Sequence, residues 1–296
     1  MLNTKIIVPI VLLLLAGVGV FVWLQTPEEI PEPVIEVVEP EPEPAFTQSV
    51  IGTSVQGREI EAYTFGKGDT DLLFVGGIHG GYEWNTIVLA YETIDYFIAN
   101  ESAMPENVTV HIVPNLNPDG LFEATSQEGR FTAADIPNVD IHTAGIGRFN
   151  ANGVDLNRNF DCRWSPDGVW RGNSVGTGSG PFSEPEAIAI RDYINKIGPD
   201  AAVFWHSRAN NVYGSECGGE VAPDTLELMS TYAQAAGYGE VPVFDAYVVT
   251  GAVEDWLAGQ GIPTVSVELD TRTSSEFEQN LAGTLATIDL YQDLVK

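Results

Sequence analysis

Polar and apolar positions alternate through Glu59-Ile60-Glu61-Ala62-Tyr63-Thr64-Phe65, the two-residue period of a strand with one buried face. Residues 72–75 form an unbroken apolar run, which predicts a strand buried on both faces. Ile87, Leu89, Ala90, Ile94 and Phe97 have helical spacing, so residues 84–98 are expected to form a helix. Residues 107–113 read as another strand, ended by Pro114. The stretch 115–182 is rich in Gly, Asn, Asp and Pro and is expected to be mostly loop. Ser183-Glu184-Pro185-Glu186 predicts a helix start, with serine as cap and proline in the first turn. Residues 201–205 form a strand in this reading, 223–236 a helix, 264–269 a strand and 275–294 a closing helix. Such alternation implies an α/β domain with a mainly parallel or mixed central sheet and helices on both faces. It spans residues 46–296.

The N-terminus is different. Residues 6–24 carry no charge over 19 positions, about enough to cross the hydrocarbon layer of a bilayer. Lys5 precedes this run and acidic residues follow it, which places the remainder outside the cytoplasm. Residues 1–25 are therefore expected to be a membrane anchor, with a cleaved signal and secretion as the alternative. Residues 26–45 alternate proline with glutamate and read as an extended, solvated linker. Seven of the 42 acidic residues lie there; without them and Lys5, residues 46–296 hold 35 acids against 12 bases, a net charge of −23. Phosphate repulsion on that scale argues against nucleic acid as a partner. Cys162 and Cys217 are the only cysteines, and outside the cytoplasm an even pair favours a disulfide.

In sheets of this class, ligands sit beyond the carboxyl ends of the parallel strands. His79 and Glu83 follow the strand at 72–75, and Asn115 and Asn117 follow the strand at 107–113. His206 and Ser207 follow 201–205, while Glu268 lies near the end of 264–269. Two histidines and one carboxylate suit a catalytic zinc ion, whose fourth position is left for water. Glu268 is then the candidate to move that water's proton. His111 and His142 lie in a strand and a loop and read as structural. Arg148, Asn157 and Arg158 stand out in a chain so poor in bases: a planar fork beside an amide suits a carboxylate, and a second arginine suits an oxygen gaining charge.

"GVDLNRNFD", "NPDG", "GIHG", "SEPE", "HS" and "TGAVEDW…QGIP…VSVEL" occur in an order that resembles the zinc carboxypeptidases of the carboxypeptidase A type. The resemblance covers most of residues 49–292. It implies one zinc ion held by His79, Glu83 and His206, Glu268 as general base and acid, and Arg148 at the scissile carbonyl. It further implies Asn157 and Arg158 on the substrate's terminal carboxylate, Asp155 behind His79, and Tyr247 as a mobile tyrosine closing over the substrate. Glu254 falls where the family selects the terminal side chain, which predicts a preference for basic residues. The family spaces its first ligands His-x-x-Glu, whereas His79 and Glu83 here are one residue further apart; Gly80 and Gly81 are expected to absorb the difference. The activity implied is a monomeric, membrane-tethered exopeptidase acting on peptides with a free C-terminal carboxylate. The alternatives are a murein-peptide amidase or N-acyl amino acid deacylase with the same metal chemistry, or an inert binding module.

Overall fold

The computed structural model describes residues 46–137 and 145–293. The expected anchor, the linker and His142 lie outside the described residues. Among the described residues no helix is long and apolar enough to cross a membrane.

The strands are β1 (Phe46–Thr53), β2 (Glu59–Gly66), β3 (Thr70–Val75), β4 (Val108–Val113), β5 (Val169–Trp170), β6 (Asn173–Ser174), β7 (Ala201–Ser207), β8 (Asn211–Gly214), β9 (Gly239–Val241) and β10 (Thr264–Leu269). The main helices are α1 (Trp84–Ala99), α2 (Pro118–Thr125), α3 (Pro185–Ile197), α4 (Pro223–Ala236), α5 (Val253–Gly259) and α6 (Phe277–Gln292). Eight strands form one mixed sheet in the order β1-β2-β4-β3-β7-β10-β8-β9, and β5 pairs with β6 apart from it. The central four, β4, β3, β7 and β10, run parallel.

Strand periodicity divides the core. Leu72, Phe74, Val203 and Trp205 face one side, where they pack with residues of α1, α4 and α6. Leu73, Val75, Ala202 and Phe204 face the other, against α3 and α5. Helices thus cover both faces, as the sequence predicts. Each Val, Leu or Phe among them contributes roughly 1.5–3 kcal/mol by leaving water.

Several local readings differ: β1, β8, β9 and α5 have no counterpart among the predicted elements, and two predicted stretches change in kind. The stretch 115–182 contains α2, whose N-cap Asn117 accepts the Gly120 N–H at 2.9 Å, with Pro118 in the first turn. Eight residues with a glycine inside leave too little periodicity to reveal this helix. At α3, Glu184 rather than Ser183 occupies the N-cap and neither side chain caps; the Ser183 hydroxyl turns to Glu184 Oε1 instead, at 2.8 Å.

Cys162 and Cys217 are bonded, with Cα atoms 5.7 Å apart, joining the loop after Arg158 to the segment beyond β8. His111 is satisfied within β4: Asp71 Oδ1 lies 2.8 Å from Nε2 and the Tyr193 hydroxyl 2.9 Å from Nδ1. Its structural role follows directly.

Candidate metal centre and substrate cavity

The parallel strands end on one rim, and that rim carries the site. β3 leads through Gly76-Gly77-Ile78 to His79, which opens a single 3₁₀ turn, Gly80–Glu83, running into α1. Gly80 has φ +47°, and a Cβ on it would lie 2.7 Å from the Gly147 carbonyl; one on Gly81 would lie 2.9 Å from that of Gly120. Both positions thus lie close against backbone, and Gly80 adopts a left-handed conformation between the two ligand candidates. Across the sheet, Glu268 is paired in register with His206, so parallel pairing sets their side chains on the same face.

His79 Nδ1 and His206 Nδ1 approach the same oxygen, Glu83 Oε2, at 3.1 and 3.2 Å. One atom from each residue lies within 4.8 Å of the others, and all three residues are buried. Neither ring nitrogen of His79 makes a hydrogen bond, although both are buried. An imidazole left in that state is costly without a ligand. The donor set, two imidazoles and a carboxylate, fits zinc. Burial opposes charge on Glu83, but His79 and His206 outweigh it and hold its carboxyl well below the usual range.

Each histidine has a buried carboxylate behind it. Asp155 Oδ1 stands 3.4 Å from His79 Nε2, a loose contact. Glu254 Oε1 stands 2.6 Å from His206 Nε2. Glu254 also accepts from Asn157 Nδ2 at 3.1 Å. Its carboxylate therefore lines the cavity, where the sequence expects a residue selecting the terminal side chain, and it is engaged by His206 and Asn157. Burial depresses the proton affinity of His206, yet Glu254 and Glu83 raise it well above the ordinary value.

Asp155 begins the turn Leu156–Arg158 and takes Arg148 through Nε at 3.1 Å and Nη2 at 2.9 Å. That leaves Nη1 of Arg148, which lies 3.9 Å from Glu83 Oε1. Asn157 Oδ1 accepts the Val253 N–H at 2.8 Å, which docks this turn onto the start of α5. Arg158 donates to the Asn157 and Val169 carbonyls, and its buried Nε has no partner. Tyr247 packs edge-on against Phe244 at 4.9 Å.

His79, Glu83, Arg148, Asn157, Arg158, His206, Tyr247, Glu254 and Glu268 all line one open cavity of about 680 Å³, with Asp155 immediately behind. Glu268 Oε2 is buried without a hydrogen bond, and burial followed by the charge of Glu83 pushes its carboxyl up to about 6. Asn115 and Asn117, at the same rim, are spent on backbone: Asn115 Oδ1 accepts from Asn117, and Asn117 caps α2. Sequence reading missed Trp170, Arg171 and Arg272. Arg272 lies three residues beyond β10, so the strand-end rule applied to it as well; the other two sit on the small β5–β6 hairpin, which carries no periodic signal.

Convergent metal-binding side chains beside a free carboxylate, at the carboxyl ends of a mixed sheet, define a metal-dependent hydrolase. The family model described as zinc carboxypeptidase matches residues 39–281, and the chain belongs to that family. It is 29% identical over 250 residues to bacteriocin BCN5 of Clostridium perfringens, covering 79% of this chain and 24% of the relative. It is 23% identical over 261 residues to gamma-D-glutamyl-L-diamino acid endopeptidase 1 of Lysinibacillus sphaericus, covering 79% and 64%. The chain thus spans less than two thirds of either relative. The fold is shared with the murein-tripeptide amidase of Escherichia coli O157 at a TM-score of 0.56 and 24% identity, covering 84% of this chain and 93% of that one.

Proposed function

We propose that this metallocarboxypeptidase-family protein releases C-terminal residues from peptides with zinc held by His79, Glu83 and His206. The observation that carries the reading is the approach of both Nδ1 atoms to Glu83 Oε2, with Glu268 in register beside His206. Zinc bound there would supply an acidified water and a polarised carbonyl. Glu268 accepts the water's proton at its carboxylate and returns it to the leaving nitrogen. Arg148, fixed by Asp155, keeps Nη1 for the carbonyl oxygen as negative charge builds. Asn157 and Arg158 take the terminal carboxylate, and Tyr247 closes over the substrate. Glu254 anchors His206 in this reading, instead of selecting a basic terminal side chain, because both its oxygens are already bonded.

A cell-wall peptide as natural substrate is the second reading. It is favoured by the similarity to the gamma-D-glutamyl-L-diamino acid endopeptidase. We place the domain outside the cytoplasm, tethered by residues 1–25 and acting as a monomer; the uncharged run at 6–24 supports the tether. The test is a zinc-loaded full chain given one peptide with a free and with an amidated C-terminus, and a gamma-D-glutamyl-diamino acid peptide. Release of the last residue only from the free acid supports the first reading. Cleavage of the gamma-linked bond alone supports the second. Equal turnover of free and amidated peptide refutes the carboxylate clamp.

A further inference from the structure

Arginines are concentrated where the charge of the chain is least expected. Arg148, Arg158, Arg163, Arg171, Arg208 and Arg272 line the cavity, six of the chain's 13 Lys and Arg residues, in a protein of net charge −29. Some of this charge is matched: Arg148 is held by Asp155, and Arg163 pairs with Glu216 and Asp255. Glu254, another lining carboxylate, is bonded to His206. Arg272 and Arg171 are different.

Arg272 lies with its guanidinium 4.2 Å above the Tyr82 ring, and its buried Nη1 makes no hydrogen bond. Its Nη1 lies 3.7 Å from Glu83 Oε1, the same oxygen that Arg148 Nη1 faces at 3.9 Å. Arg148 is already matched by Asp155, whereas Arg272 shares Glu83 with the candidate metal and lies within electrostatic reach of Glu268, so no carboxylate is committed to Arg272 alone. Tyr82 meets Trp170 edge-on at 5.3 Å, and Trp170 carries Arg148 at 4.5 Å and Arg171 at 5.2 Å over its ring. Three guanidiniums thus surround one aromatic pair. The support is rigid: Asn85 Nδ2 donates to the Thr271 and Ser274 carbonyls at 2.9 and 3.0 Å, and Glu276 Oε1 accepts the Thr271 N–H at 2.8 Å. The loop that carries Arg272 is tied on both sides.

We propose that Arg272 and Arg171, set beside Arg148 around Tyr82 and Trp170, form a second carboxylate subsite for an acidic group on the residue that supplies the scissile carbonyl. The proposal rests on the reading of this cavity as a peptidase site. The terminal carboxylate is assigned to Asn157 and Arg158, so the second anion belongs to the residue on the other side of the scissile bond. Two sources share this chemistry: the side chain of an alpha-linked glutamate, and the free alpha-carboxylate of a gamma-linked one.

The test uses the zinc-loaded full chain and four substrates ending in the same alanine: N-acyl-Glu-Ala, N-acyl-Gln-Ala, the gamma-linked N-acyl-glutamyl-alanine, and its alpha-carboxamide. A carboxylate should raise kcat/KM on the order of tenfold over its matched amide in at least one pair, and the favoured pair identifies the source. In Arg272→Gln that ratio should fall towards one, whatever happens to the absolute rates, and added salt should reduce it in the wild type. Equal rates within both pairs, with alanine released, overturn the subsite while leaving the peptidase reading intact. Should no substrate turn over, calorimetric binding of the same two uncleaved pairs decides: a preference for the carboxylate member lost in Arg272→Gln supports the subsite, and equal affinity within both pairs overturns it.

Discussion

Glu254→Gln isolates the carboxylate behind His206. In the wild type, Oε1 sits 2.6 Å from Nε2, a short contact with both residues buried, and Oε2 takes Asn157 Nδ2 at 3.1 Å. Glutamine keeps the volume and one acceptor but removes the charge. A hydrogen bond to a charged group contributes about 1.5–3 kcal/mol and a neutral one about 0.5–1.5, so the exchange should cost about 1–1.5 kcal/mol. If that energy fixes the ring with Nδ1 towards the metal, zinc affinity falls roughly tenfold. Glu254→Ala should do worse, because the Nε2–H then loses its acceptor altogether. The assay is competition for zinc against a chelator of known affinity, which needs no turnover. A dissociation constant within twofold of wild type would falsify the anchoring role. The rival role, selection of the terminal side chain, has its own signature: an altered ratio of terminal lysine to leucine release at unchanged zinc affinity.

Other substitutions address separate links. Glu268→Gln should lower kcat by a factor of about 10²–10⁴ with zinc affinity kept, and a drop below tenfold would remove Glu268 from proton transfer. Since the proposed role needs Glu268 as a carboxylate and its carboxyl is pushed up to about 6, kcat/KM should rise with pH through an acid limb at or below that value, a bound cation shifting the limb downward. A pH profile falling between roughly pH 5 and 7 contradicts the assignment. Gly80→Ala should reduce both melting temperature and zinc affinity, because φ +47° disfavours a side chain and the Gly147 carbonyl lies 2.7 Å from the new Cβ; a Tm and a zinc affinity equal to wild type would show that the turn tolerates a normal residue. Replacing Cys162 and Cys217 by serine opens a link of 55 residues and should cost up to ~4 kcal/mol, read as a fall in denaturation midpoint.

Much of the site was legible because it is distributed over strand ends, and strand ends are marked by where apolar runs stop. β3 and β7 contain such runs and β10 alternates, and His79, His206 and Glu268 lie at or just beyond the ends of these strands. What the sequence could not carry was side-chain direction. Glu254 and Asp255 are adjacent in α5, yet one turns to His206 and the other to Arg163, a choice made by the packing of α5 on the turn at Asn157. The same limit hid α2. Its residues bury against Gly81 and Gly147 through close backbone approach, and contacts made by absent side chains leave no apolar pattern to read. The strands β8 and β9, four and three residues long at one end of the sheet, were likewise too short for a period to show.

Charge explains why these pieces need one another. Glu83, Asp155, Glu254 and Glu268 gather in and behind one cavity, and each would resist burial if placed there alone. Arg148 and His206 remove most of that cost, holding Asp155 well below the usual carboxylate range and Glu254 below it against the pull of burial. Glu268 is the exception, left without a hydrogen bond and with a raised proton affinity. The one carboxyl the cluster does not neutralise is the one whose proposed task is to gain and lose a proton.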